Sequence, residues 1–233
     1  MTIRAKLYAA IVLTVLGPIA TTAVALHGMS QLGDRFDEVQ EQAEHESIAR
    51  ELKFRVTDLN GWQTAYGYAG GDVATRDEMR RRYVRAESEL ADELQVASST
   101  LDDPREQELL ARLEGVFERF KRLDAVAWRA LREGDAERTR QIFLGPEIRN
   151  FEQMAAIADE LATYEDERAA ATDAEFDDAR DDARRRLIAV ALGAGIVIVL
   201  LLFTANDIAR MALEGERSVR GRPSRDTRSG GDE

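Results

Sequence analysis

Residues 102–135 read DDPREQELLARLEGVFERFKRLDAVAWRALREGD. Leu109, Leu113, Val116, Phe117, Phe120, Leu123, Ala127 and Leu131 recur here at three- and four-residue intervals, the spacing of one helix face. Asp102-Asp103 before Pro104 marks the start, because a short acceptor side chain caps free amides and proline is tolerated in a first turn. Gly134-Asp135 marks the end.

The same pattern extends outward in both directions. Residues 30–69 carry Leu32, Phe36, Val39, Ala43, Leu52, Val56, Leu59, Trp62 and Tyr66 on one face, closed by Gly70-Gly71-Asp72. Residues 74–98 carry Met79, Tyr83, Ala86, Leu90, Leu94 and Ala97. After Gly134 a short helical piece, 136–143, leads to Gly145-Pro146. A long helix then follows with Phe151, Met154, Ala158, Leu161, Thr172, Phe176, Ala179 and Ala183. No window alternates with the two-residue period of a strand. The expected fold is therefore all-α. Two long and two shorter helices with tight links form an antiparallel up-down-up-down four-helix bundle.

Two uncharged apolar runs flank this domain. Residues 7–26 read LYAAIVLTVLGPIATTAVAL and residues 187–205 read LIAVALGAGIVIVLLLFTA. Each is about as long as a helix needs to cross a hydrocarbon core of ~30 Å. The first run is too long for the apolar region of a cleavable signal, so it is expected to remain as an anchor. The expected organisation is a cytoplasmic N-terminus (1–6), a first transmembrane helix (7–27), an extracytoplasmic domain (28–186), a second transmembrane helix (187–205) and a tail (206–233). The tail is expected to be cytoplasmic and largely disordered, with a short helix to about Arg217. Arg4 and Lys6 before the first run, and Arg210, Arg217, Arg220, Arg222, Arg225 and Arg228 after the second, place both ends in the cytoplasm of a cell membrane. Arg184, Arg185 and Arg186 oppose that bias and are offset by Asp177, Asp178, Asp181 and Asp182. Small residues every fourth position, such as Gly17, Thr21 and Ala25, suit close packing of helices in lipid.

Charge and composition exclude several functions. The domain between the runs has 38 acidic and 24 basic residues, a surface that repels nucleic acid. There is no cysteine, and neither spacing nor sequence links His27 and His45 as ligands. No phosphate loop, zinc-binding helix motif or nucleophile with a histidine base is present. The acid-rich run 165–182 lacks the glycine and ligand spacing of a calcium loop, and reads as a charged helix face. No catalytic residue, cofactor or metal is expected, and the chain is not expected to be an enzyme.

Two groups of residues stand out as candidates for binding. In residues 58–66, DLNGWQTAY, Gly61 costs ~1 kcal/mol in a helix, and Asn60, Gln63 and Thr64 set polar groups beside Trp62 and Tyr66. Such a stretch is either a polar layer that fixes bundle register or part of a ligand pocket, with Asn60, Trp62, Gln63 and Tyr66 as its binding residues. The second group is a concentration of arginine: Arg76, Arg80, Arg81, Arg82 and Arg85, and then Arg129, Arg132, Arg138, Arg140 and Arg149. Guanidinium groups hold carboxylates through paired hydrogen bonds, so Arg81 and Arg149 are candidates for an anionic ligand or amino acid. The alternative is a solvated face balanced by Asp77, Glu78, Glu87 and Glu133.

The layout of span, four-helix bundle and span, with 58–66 and the stretches LREGD (131–135) and FLGPE (143–147), resembles the four-helix-bundle sensor domain of bacterial methyl-accepting chemotaxis proteins. The resemblance covers residues 1–205 and implies a chemoreceptor-like input module that works as a homodimer or with a full-length receptor. Such receptors continue into a HAMP relay and a cytoplasmic signalling coiled coil, whereas 28 residues follow the second run here. The expected function is a non-enzymatic sensor that transmits or modulates an extracytoplasmic signal. The alternative is an orphan interaction protein that pairs with another membrane protein without sensing a ligand.

Overall fold

The computed structural model describes residues 3–69 and 72–220. Helix α1 spans Ile3–Tyr68, α2 Val73–Thr100, α3 Pro104–Glu133, α4 Ala136–Ile142 and α5 Ile148–Arg220, with a π-helical turn at Phe143–Glu147 between the last two. There is no strand among the described residues. The expected breaker Gly70-Gly71 and the tail residues 221–233 lie outside the described residues. The helix expected to end near Arg217 continues to Arg220.

Caps define the helix ends. Asp72 accepts from the amides of Ala74 and Thr75 at the start of α2. Asp103 accepts from the Arg105 amide while Glu106 reaches back to the Asp103 amide at 2.9 Å, a reciprocal capping box. Gly134 ends α3 in the left-handed region at φ 77°, where a Cβ would be strained.

The chain divides into two compact units. One comprises residues 34–177, and its side-chain contacts define the bundle. Arg55 of α1 meets Glu89 of α2 at 2.5 Å and Tyr66 packs on Tyr83, while Lys53 of α1 meets Asp159 of α5 at 2.5 Å and Arg50 meets Asp166 at 3.1 Å, so both neighbours run antiparallel to α1. Helix α3 runs parallel to α1, since His45 faces Glu106 and Gln63 faces Asp124, each pair 61 residues apart. This is the up-down-up-down order. The other unit consists of residues 1–33 and 178–233. Large apolar side chains stand exposed on it, among them Ile19, Leu192 and Phe203. Among the described residues one helix, α5, is long and apolar enough to cross a membrane, and its apolar window is not buried.

In the bundle the inward seam of α1 is Gln42, His45, Ala49, Leu52, Val56, Leu59, Gln63 and Tyr66, alternating three- and four-residue steps. Ala43, expected on this face, is exposed, and Gln42 and His45 take the inward positions because α3 and α5 offer them partners. Phe36 is likewise exposed, and Trp62 is half-buried against the core edge. Leu90 and Leu94 from α2, Leu109, Leu113 and Phe120 from α3, and Met154 and Leu161 from α5 fill the middle. Each such burial contributes about 1.5–3 kcal/mol.

The Gly145-Pro146 pair does not break the chain. Proline lacks an amide hydrogen and its ring collides with the carbonyl four residues back in an α-helix. Here the turn widens, and the Ile148 amide bonds back to the Phe143 carbonyl. Helical geometry therefore carries through Pro146.

Leu90 is fully buried, whereas Val84 on the same helix is 51% exposed. Leu90→Ala is expected to cost about 2–5 kcal/mol and Val84→Ala less than about 0.5 kcal/mol, measured by urea unfolding of the detergent-solubilised chain.

Candidate functional site: two buried polar layers

Polar side chains enter the bundle core at two levels. The head layer lies near the α1–α2 corner, and the base layer lies where α1 enters and α5 leaves the bundle. Helices α1 and α3, and α5 with the π-helical turn before it, contribute to both levels with a single offset: His45 and Gln63, Glu106 and Asp124, and Glu147 and Glu165 are each 18 residues apart. Eighteen residues make five helical turns, or about 27 Å. Among the described residues, those buried between the two levels are apolar.

In the head layer Asp124, 1% exposed, is the hub. Its Oδ2 receives Arg80 Nη1 at 2.5 Å, and its Oδ1 accepts from the Tyr66 hydroxyl and, at 3.4 Å, from Gln63 Nε2. Gln63 Nε2 also donates to Glu147 Oε1. Glu147 is the last residue of the π-helical turn, whose wider path sets its side chain inward. Tyr66 is surrounded by the rings of Tyr83, Trp128 and Phe143 with centroids 5.4–5.9 Å away, all edge-on. The Arg80 guanidinium lies over three of these rings, 4.5 Å from the Tyr83 centroid. Gly67 is needed here, because a Cβ on it would come 2.7 Å from the Phe143 ring.

Two carboxyls share this apolar box with one guanidinium. Burial, reinforced by the nearby Asp124 charge, pushes the Glu147 pKa up to about 9, against the opposing pull of Arg80 and Gln63. Glu147 is therefore neutral near pH 7, and its Oε2 has no hydrogen-bond partner. Burial and Asp124 also push the hydroxyls of Tyr66 and Tyr83 well up, which keeps both as neutral phenols.

Clefts open onto the head layer from outside. One of about 480 Å³ is lined by Arg76, Arg80, Arg81, Arg132 and Trp128, with Asp77 and Val73. A second of about 290 Å³ lies between Trp62, Arg81, Arg82 and Arg85, with Arg82 stacked 4.9 Å above the Trp62 ring. A third of about 200 Å³ includes Asn60, Gln63 and Phe143.

The structure thus brings Gln63 and Tyr66 together in the core and sets Asn60, Trp62 and Arg81 at the clefts around it. Arg149 stands apart. It is exposed on α5 and makes no hydrogen bond or ion pair among the described residues.

The base layer comprises Gln42, His45, Glu106, Glu165 and Arg168. Gln42 Nε2 donates to Glu165 Oε2 at 2.7 Å, His45 Nδ1 lies 3.3 Å from Glu106 Oε1, and Arg168 Nη1 donates to that oxygen at 2.5 Å. Glu165 was expected on a solvated acidic face, but it is fully buried. Burial, together with the neighbouring Glu106 carboxyl, pushes its pKa up to about 7.

Sequence reading missed Asp124, Glu147, Glu106, Glu165 and His45 as site residues. The usable signal was the recurrence of polar residues, 18 apart, in the seam positions of α1, of α3, and of α5 with the turn before it.

Because Glu147 holds a proton in the fold that the unfolded chain releases near pH 4.5, folding stability falls as pH rises from there to about 9. The slope is about 1.4 kcal/mol per pH unit while the two states differ in that proton. Glu147→Gln removes this component, so unfolding free energies of the variant measured from pH 5 to 9 should fall less steeply than those of the native chain.

Residues 1–179 match the family described as a four helix bundle sensory module for signal transduction. No curated protein and no solved structure matches the chain. Bundle topology, capped helices and a match over most of the length agree: the chain belongs to the family of four-helix-bundle sensory modules for signal transduction.

Proposed function

We propose that this chain is a membrane-anchored, non-enzymatic input module that senses a small anionic ligand, an amino acid or organic acid, outside the cytoplasm. Apolar runs 7–27 and 187–205 are its two spans, with both termini cytoplasmic, and it acts as a homodimer or beside a full-length receptor. The observation that carries the reading is the position of Arg80. Its guanidinium lines the arginine-rich cleft and at the same time holds the buried Asp124 carboxylate.

An anion entering that cleft meets Arg76, Arg81 and Arg132 and competes with Asp124 for Arg80. Weakening the pair leaves Asp124 and Glu147 in the core with less compensation, which favours a different packing of α2 against α3 and α5. Helices α1 and α5 are each uninterrupted from their apolar run into the bundle, so a shift of either has a continuous path inward.

A thermal-shift screen of the detergent-solubilised full chain against amino acids and organic acids tests this. A ligand at 100 times its Kd stabilises by about 2.7 kcal/mol. A rise in Tm is expected with at least one anion, and it should be lost in Arg81→Ala and Arg132→Ala. If no compound raises Tm, the chain is instead an interaction module that pairs with another membrane protein.

A further inference from the structure

The base layer contains an imidazole and two carboxyls contributed by three different helices. A ring nitrogen of His45 and one carboxylate oxygen each of Glu106 and Glu165 lie within 4.8 Å of one another, and all three residues are buried. We propose that His45, Glu106 and Glu165 form a binding site for a divalent transition-metal cation of the zinc type, with the Gln42 amide as the fourth ligand.

The donors present leave this cluster incomplete. Arg168 Nη1 contacts Glu106 Oε1 and lies 4.0 Å from Glu165 Oε2, so one guanidinium faces two buried carboxyls. Gln42 donates to Glu165 Oε2. Glu165 Oε1 is buried without a donor, and the Glu106 carboxyl beside Glu165 adds to the cost of its charge. A buried carboxylate oxygen without a donor is costly, and a cation at the convergence point of the three side chains removes that cost.

Geometry and ligand type choose the class of cation. Bonds of about 2.1 Å at a tetrahedral angle set neighbouring ligand atoms about 3.4 Å apart. His45 Nδ1 and Glu106 Oε1 are 3.3 Å apart. A Glu165 carboxylate oxygen lies within 4.8 Å of both, near enough for a side-chain adjustment to complete the set. Calcium takes six to eight oxygens and magnesium keeps its waters, whereas one imidazole with carboxylates suits zinc, cobalt or nickel. Rotation of the Gln42 amide turns its oxygen toward the cation. Arg168 then serves the metal site from behind by holding Glu106, and as the partly exposed member it is also where the site opens to solvent.

The proposal is independent of any anion at the head layer. The full chain in detergent, stripped with chelator, is titrated with Zn2+ by calorimetry, and with Co2+ by visible absorption. One Zn2+ per chain with micromolar or tighter affinity is expected. The Co2+ complex should show the intense bands of a tetrahedral site with a nitrogen ligand. Glu165→Gln and His45→Ala should each weaken Zn2+ binding at least tenfold, while Glu137→Gln, an exposed acid on α4, should leave it unchanged. Far-UV circular dichroism of the metal-free variants checks that they remain folded. Should either variant fail that check, Gln42→Ala should still weaken binding. The idea is overturned if Zn2+ does not bind stoichiometrically, or if binding is insensitive to both Glu165→Gln and His45→Ala.

Discussion

A carboxylate shut away from water must find a cation, a hydrogen-bond donor or a proton, and that requirement decides how the four helices align. Four acids, Glu106, Asp124, Glu147 and Glu165, occupy the core of this bundle. In the observed register Asp124 meets Arg80, Tyr66 and Gln63, and Glu106 meets Arg168 and His45. A slip of α3 by one heptad along α1 would set Asp124 opposite Val56, or Glu106 opposite Leu52. Either loses those partners, and an uncompensated buried charge costs about 3–5 kcal/mol. Apolar packing alone would tolerate the slip far better, because leucine and valine recur throughout the seam.

The two layers act on the same helices from opposite ends of an apolar block. Interiors of this kind are densely packed and pass a displacement on instead of absorbing it. Neither layer is fully satisfied: Glu147 Oε2 and Tyr83 at the head, and Glu165 Oε1 at the base, lack hydrogen-bond partners. Such deficits are where ligands, protons or ions act, since each can supply what the fold withholds. A sensory module needs that property, and a bundle built for stability alone would have filled these positions with leucine.

Much of the architecture was legible in the sequence. The period of the apolar residues, the Asp103-Pro104 start and the Gly134 stop give the helices and their order, because those signals are local. The 58–66 stretch pointed to the head layer for the same reason: Gln63 and Tyr66 are polar or polar-tipped residues on an otherwise apolar stripe. Their partners were hidden by distance along the chain. Tyr66 meets Asp124 across 58 residues and Gln42 meets Glu165 across 123, and a charge in an acidic helix looks solvated until its face is known. Ala43 was assigned to the seam because an apolar residue outranks Gln42 in any periodicity count, yet Gln42 is the one with a buried partner. The π-helical turn was illegible because Gly145-Pro146 ordinarily stops a helix.

The central claim is that the Arg80–Asp124 pair holds the register of the bundle. A double-mutant cycle with Arg80→Met and Asp124→Leu, read by urea unfolding of the full chain in detergent, measures it. Each single variant should be strongly destabilised, by about 3–5 kcal/mol, because it strands the other charge. The double variant should recover at least about 1 kcal/mol relative to the sum of the two. Losses that add to within about 0.5 kcal/mol would mean that the two residues do not act as a pair, and the account of the register would fail.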